Sequence, residues 1–414
     1  MGTTFSCVAV YKEGRVKVLS DKDGHKLVPS VVAFSCNENK ITGHVEAKRL
    51  IGRKFDDPAV QANLDRWPFQ VTAGKDGKAQ ASTSSRRSMN PVLPLSPTEF
   101  VASDIALIKV EGEKYDVIIC KGDNNLGGED FDTNLVKYCV EQIENIHGVD
   151  VSLDSFAMRR LRSQCQFVKC KLSEKPAEPN YRYRLELDDF VNSTDVNLTI
   201  SRDVFEKMNQ SLFDRAIALV PACLEEAQMT IDDIDDIVPV GGSMRIPKLR
   251  EMLQDLFKGR QLYGYINPDE AIAVGASILA AQKMQIYLGH FVLSDITPFA
   301  IGVKANIDGE MIVLIPRNSK IPYQSSDDFF PMSDFQRAAA IKVYQGENKF
   351  VKDNVYLGET TITGLRPDLS LNVKIVVTVQ IDENGILKVT ATEVATGNEV
   401  EECLHSLVPH LNVL

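Results

Sequence analysis

The apolar residues of this chain change their spacing near residue 290. Before that point they recur at helical intervals. Phe131, Leu135, Tyr138, Cys139 and Ile143 fall on one face of a helix expected over 130–147. After it come β-branched runs with turn signals, at 301–303, 311–315, 339–344, 371–381 and 386–392. Each period gathers its apolar residues on one face only in its own geometry, so the two halves cannot share a fold class. The chain is expected to be α/β before 290 and an antiparallel β-sandwich after it. Asp382-Glu383-Asn384-Gly385 should turn one of the sandwich hairpins. The 414 residues suffice for two or three domains with cores of their own.

Within the first part, 4–11 and 15–19 read as a hairpin around Lys12-Glu13-Gly14, and 31–34 as a further strand. Residues 72–98 break the pattern with Gly74, Gly77, a Ser/Thr/Arg cluster and Pro91, Pro94 and Pro97, and read as a linker or disordered loop. A second hairpin is expected at 104–110 and 115–121. Helices should follow at 155–172, 202–227, 247–257 and 268–284, with strands at 181–187, 196–200 and a buried one at 237–240.

Acidic residues exceed basic ones, 57 to 46, which argues against a protein built to coat nucleic acid or an anionic membrane. The longest apolar stretch, AIAVGASILAA at 271–281, is too short to span a bilayer. The eight cysteines form no CxxC pair, and Met1 opens directly into a strand-like run, so reduced thiols and a cytoplasmic location, with the nucleus as a further one, are expected. Cys403, His405 and His410 lack a fourth partner for a metal, and no metal site of their making is expected.

Two glycine turns carry the chemistry. Gly2-Thr3-Thr4 can offer backbone N–H groups and hydroxyls to a phosphate, and Gly241-Gly242-Ser243 lies between a strand and a helix, where backbone can approach phosphate or ribose. Each alone is weak, since such turns often carry glycine for conformational reasons. Around them stand, in order, GTTFSCVAVY (2–11), AKRLIGRKFDDPAVQANLDRWPFQV (47–71), LGGEDFD (126–132), the helix 157–173, VPVGGSMRIPKL (238–249), INPDEAIAVGA (266–276), VYQGENKFVKDNVYLG (343–358) and VQIDENGILKVTAT (379–392). This series closely resembles the seventy-kilodalton heat-shock chaperone family, cytosolic type. The resemblance implies an actin-like ATPase domain, using ATP or ADP with magnesium, followed by a β-sandwich that grips extended apolar polypeptides.

Carried over residue by residue, the resemblance gives Gly2, Thr3 and Thr4 to the first phosphate loop and Lys48 to the γ-phosphate. Asp104 matches a magnesium-site carboxylate, Lys169 and Ser173 adenosine contacts, and Gly241, Gly242, Ser243 and Arg245 the adenosine loop. In the sandwich it gives Val303, Phe329, Ala339, Ile341 and Ile375 to the peptide pocket, and Asn306 and Met332 to an arch over it. The alternative reading of these positions is sandwich core, which for Ile375 carries equal weight. Ala339 replaces a larger aliphatic, which would widen the pocket.

The departures decide the expectation. The family has an Asp before the first glycine turn; here the chain starts at Met1. Its second phosphate loop, rich in glycine, is replaced at 97–104 by PTEFVASD, where only Asp104 survives and Glu99 would repel phosphate. The segment with the family's catalytic Glu is missing around 72–98, a second deletion lies between Gly43 and Glu46, and Gln166 and Cys170 replace a Glu and an Arg beside the nucleoside. Losing one such group typically costs about 2.7–4 kcal/mol of transition-state stabilisation, and several are missing together. The expected layout is a first-lobe remnant (1–71), a linker (72–102), a largely intact second lobe (103–289), a sandwich (290–405) and a tail (406–414) with no helical lid. Hydrolysis is expected to be lost and MgATP binding weak or absent. The competing expectations are an ATP-dependent folding chaperone, a protein sequestering nucleotide-exchange factors through the second lobe, and a truncated copy without function.

Overall fold

The computed structural model describes residues 103–123, 126–178, 180–191, 194–286, 289–305 and 308–404, and before them the shorter stretches 5–12, 14–20, 24–29, 34–36, 39–41, 55–56, 58–61, 70–73 and 79–82. The first hairpin is present: β1 (Ala9–Lys12) pairs antiparallel with β2 (Arg15–Val18). The expected break at 72–98 contains a second, Gln70–Ala73 paired with Ala79–Ser82, so its first part is ordered by a backbone ladder that needs no apolar core. The rest of that break lies outside the described residues.

The second lobe opens with β3 (Ser103–Glu111) and β4 (Lys114–Asp123), joined through Gly112 at φ 63°. Helices α1 (Gly128–His147) and α2 (Ser155–Ser173) follow. Gly148 ends α1 in the left-handed conformation, φ 68°, which glycine adopts without a Cβ penalty. Asp154 starts α2 by accepting the N–H groups of Phe156 and Ala157. The hairpin β5 (Arg182–Val191) and β6 (Thr194–Ser201) leads into α3 (Arg202–Glu226). These elements share one core built on Phe131, Leu135, Cys139, Leu161, Cys165, Leu185, Phe205 and Phe213. Arg202 staples it: its buried guanidinium donates to the carbonyls of Leu172, Lys175, Pro176 and Glu178 at 2.6–3.4 Å, closing the end of α2.

The expected buried strand at 237–240 is not formed. Val238 and Val240 are 50% and 36% exposed, and the segment turns inward through Ile234 and Ile237, three residues apart, which pack on the cluster of Val220, Leu224 and Phe257. Without a neighbouring ladder the segment is held by single bonds, Tyr263 N–H to the Ile237 carbonyl at 2.8 Å among them. Helix α4 spans Pro247–Leu256. Helix α5 starts at Ala271, three residues later than the pattern suggested, because Asn267 turns the chain first and accepts from Asp269 N–H.

The sandwich has two four-stranded sheets. One is ordered β9 (Met311–Ile315), β8 (Ile301–Lys304), β11 (Ala338–Gln345), β12 (Val355–Thr363); the other β10 (Tyr323–Phe329), β13 (Ile375–Ile381), β14 (Leu387–Glu393), β15 (Glu399–Leu404). Strict alternation buries Ile375, Val377, Val379 and Ile381 against Leu387, Val389 and Ala391. Strand β15 also closes the seam between the sheets: a Cβ at Gly358 on β12 would stand 2.9 Å from Leu404.

A short strand, β7 (Val292–Ser294), joins the two parts. It adds in parallel to β4, pairing 292–294 with 114–116. The sandwich loop 316–320 docks beside it. Asp116 takes Lys114 at 2.9 Å and Lys320 at 3.1 Å, while Glu226 takes Lys121 at 3.1 Å and Arg317 and Asn318 at 3.3 Å. The contact rests on backbone pairing and charge, with Phe291 set edge-on against Tyr115 at 6.2 Å between ring centroids. Lys114, Ser294 and Lys320 hold the Asp116 carboxyl well below the usual carboxylate range. A depressed carboxylate stabilises the docked form above about pH 3.9 and loses that contribution as pH falls towards its folded value. Glu226→Lys sets like charges against Lys121 and Arg317. Amide hydrogen exchange at 317–320 is expected to quicken about tenfold, equivalent to about 1.4 kcal/mol.

Candidate functional site

On the nucleotide side, Lys169 lies on α2 facing α1, as its helical spacing requires. Its ammonium donates to Asp132 Oδ2 at 2.7 Å and to the Gly128 carbonyl at 2.9 Å. Both residues are nearly buried, Asp132 at 1% exposure and Lys169 at 9%. Burial pushes the Asp132 carboxyl up, and Lys169 pulls it back towards the ionised form. Asp132 Oδ1 has no hydrogen-bond partner. Ser173 turns its hydroxyl onto the Lys169 carbonyl at 2.9 Å, one turn back along α2.

The glycine turn is built as its composition requires. Gly241 sits at φ 90°, and a Cβ on Gly242 would stand 3.0 Å from Asp269 Oδ1. Ser243 and Arg245 follow in a single 3-10 turn. Arg245 donates through Nε to Asp269 Oδ2 at 2.6 Å and through a terminal nitrogen to Asn267 Oδ1 at 2.9 Å. Lys26 reaches Glu270 at 3.0 Å and ties an early segment to the start of α5. Cys170 lies within electrostatic reach of both groups of residues. Its residue reaches the surface, yet desolvation of the thiol pushes its pKa up, Lys169 opposing and Asp132, Glu174 and Asp269 adding to the rise. Asp104 stands exposed on β3, opposite Gly122.

Gly2, Thr3, Thr4 and Lys48 lie outside the described residues, as does Asn306. The structure thus brings together Lys169 with Ser173, and Gly241 and Gly242 with Arg245. The sequence missed their anchors, Asp132 and Asp269. Asp132 was legible as the last residue of LGGEDFD, a carboxylate that helical spacing turns into the core, where it needs a counter-charge or hydrogen-bond donors. The described residues contain no group of three or more His, Cys, Asp or Glu side chains placed to hold a metal, and an exposed Asp104 alone does not fit one. No helix among them is long and apolar enough to cross a membrane.

In the sandwich, Val303, Ile341 and Ile375 are 1%, 8% and 2% exposed and belong to its core. Phe329 and Ala339 are half-buried against that core, and Met332 is exposed. Phe329 pairs directly with Ile375, and Ala339 with Ile362. Phe330, Met332 and Phe335 extend this surface over the loop after β10, with Phe335 held at φ 60° by its N–H to the Asp368 carbonyl, 2.7 Å.

The Hsp70 protein family model matches residues 1–93 and 100–407. The heat shock cognate 70 kDa protein 3 of Dictyostelium discoideum is 29% identical over 495 aligned residues, which cover 96% of this chain and 78% of that relative. A family match over nearly the whole length, on a chain with an α/β part and a β-sandwich, settles descent: the chain belongs to the Hsp70 family of ATP-binding chaperones, whose members join an actin-like ATPase domain to a sandwich that binds unfolded polypeptide.

Proposed function

We propose that this chain binds extended apolar polypeptide in its β-sandwich and does not hydrolyse ATP. One observation carries the loss of hydrolysis: the stretch 97–104 offers Pro97, Glu99 and Phe100 where a phosphate loop needs glycines, and the family match itself lapses at 94–99. The alignment with the Dictyostelium relative is also longer than the chain, so that protein carries stretches with no counterpart here. On the nucleoside side the buried ammonium of Lys169 is committed to Asp132, and no magnesium cluster accompanies it among the described residues. ATP with magnesium would supply the family's conformational drive.

Phe329 and Ala339 form the mouth of the peptide site, over a floor of Val303, Ile341 and Ile375. Ala339 leaves room there for an apolar side chain. Burying one leucine yields about 1.5–3 kcal/mol, whereas micromolar affinity needs about 8.2, so peptide backbone hydrogen bonds must supply much of the rest. The test uses the full chain. Calorimetric titration with MgATP is expected to be flat and phosphate release to match the buffer blank, while a fluorescein-labelled leucine-rich peptide raises its anisotropy on binding. Turnover of ATP would refute the first half, and an unchanged anisotropy the second. Ala339→Phe fills the mouth and is expected to weaken the peptide at least about tenfold, a loss of one buried side chain, with the circular dichroism spectrum unchanged. Ile341→Asp would not serve, since Ile341 is core and its loss unfolds the sheet.

A further inference from the structure

The core between α1 and α2 holds two thiols that neither nucleotide nor peptide binding uses. Cys139 on α1 and Cys165 on α2 are both fully buried, and their Sγ atoms stand 3.8 Å apart, the Cys165 thiol pointing at its neighbour. Both are reduced. Around them the core is aliphatic and aromatic. The polar contacts of the same helix seam lie close by: Cys165 is one turn from Lys169 and Cys139 two turns from Asp132, while Arg162 reaches Thr133 at 3.3 Å and Glu129 at 3.7 Å.

We propose that Cys139 and Cys165 are a modification site, a thiol pair that a peroxide converts to a disulfide bridging α1 and α2. One sulfur, as thiolate, attacks a peroxide oxygen. The O–O bond breaks, hydroxide leaves and takes up the thiol proton as water, and a sulfenic acid remains. The second sulfur attacks the first, the S–O bond breaks, and a second water leaves with the second thiol proton. Two electrons pass from the pair to hydrogen peroxide, giving one S–S bond and two waters. The sulfurs close from 3.8 Å to about 2.05 Å, a motion small enough for two packed helices to absorb. Burial raises the Cys165 thiol, with Arg162 acting weakly the other way, so the reaction runs through local opening of the seam and is slow. The crosslink ties the helices beside Asp132 and Lys169 and narrows the play of that pair.

The experiment takes the folded full chain, its exposed Cys170 and Cys403 first blocked with N-ethylmaleimide. Excess hydrogen peroxide is added, then removed with catalase. The protein is unfolded in iodoacetamide, digested and analysed by mass spectrometry. The expected result is loss of alkylation at both Cys139 and Cys165 and a crosslinked peptide pair, two hydrogens lighter than its parts, that dithiothreitol separates. In Cys139→Ser the crosslink is lost and Cys165 reappears as alkylated thiol or sulfenic acid. Should that variant not fold, Cys139→Val keeps the volume apolar and serves the same purpose. Both thiols still fully alkylated after peroxide would overturn the proposal, as would Cys165 joined to any cysteine other than Cys139.

Discussion

Arg202→Ala is expected to cost the second lobe about 3–5 kcal/mol. Arg202 is 4% exposed, and its guanidinium satisfies four carbonyls where α2 ends and the chain turns towards β5. Leaving a buried acceptor unmade costs about 1–3 kcal/mol, and water can reach only part of what alanine would vacate. Against a total stability of about 5–15 kcal/mol for a domain, that is enough to populate the unfolded state. Arg202→Lys should recover little, because an ammonium lacks the planar fork that spans several acceptors. Urea unfolding followed by helical circular dichroism provides the measurement, and an unmoved midpoint would discard the staple. Peptide anisotropy should survive in the same variant, since the sandwich core is a separate cluster.

The second large effect is expected at Lys169→Met. It strips the partner from a carboxylate of 1% exposure, and breaking a buried pair from one side typically costs about 3–5 kcal/mol. Asp132→Asn in the same chain should restore most of it, because the amide needs no counter-charge. The pH dependence has a definite sign. With Lys169 gone, burial acts on Asp132 with Asp130 adding to it and only Arg162 opposing, and its folded pKa rises further above the unfolded value of about 3.9. The folded state then holds a proton the unfolded state has released, so stability falls as pH rises from about 4. The variant should therefore lie closest to the parent near pH 4 and furthest from it near pH 7. A deficit independent of pH would mean that the lysine acts through packing alone.

Much of this architecture was legible because its residues repeat at one period. The strand pair 375–381 and 387–393 alternates without exception, and α1 to α3 carry capping residues at their ends. Strands whose stability comes from backbone pairing were not legible. Strand β10 reads YQSSDDF and is mostly exposed; only its ladder with β13 makes it a strand. The same holds for β12, β15 and the joining strand β7, whose three residues acquire meaning from β4, some 180 positions earlier. Conversely, 237–240 looked like a strand by composition but found no ladder. At the candidate site, sequence placed Lys169 and Arg245 on their elements. It could not supply Asp269, which lies 24 residues from Arg245 and meets it only through the fold.

The seam closed by β15 bears on how the chain is made. Leu404 fills the notch above Gly358, so the seam between the sheets cannot close while that leucine is still inside the ribosomal tunnel. The α/β part has its own core by residue 257 and can consolidate as it emerges, but the nascent sandwich must wait, its alternating apolar faces open to other chains. For the interval between the emergence of β8 and that of β15, the nascent sandwich thus exposes the kind of extended apolar segment that the chain's own family binds.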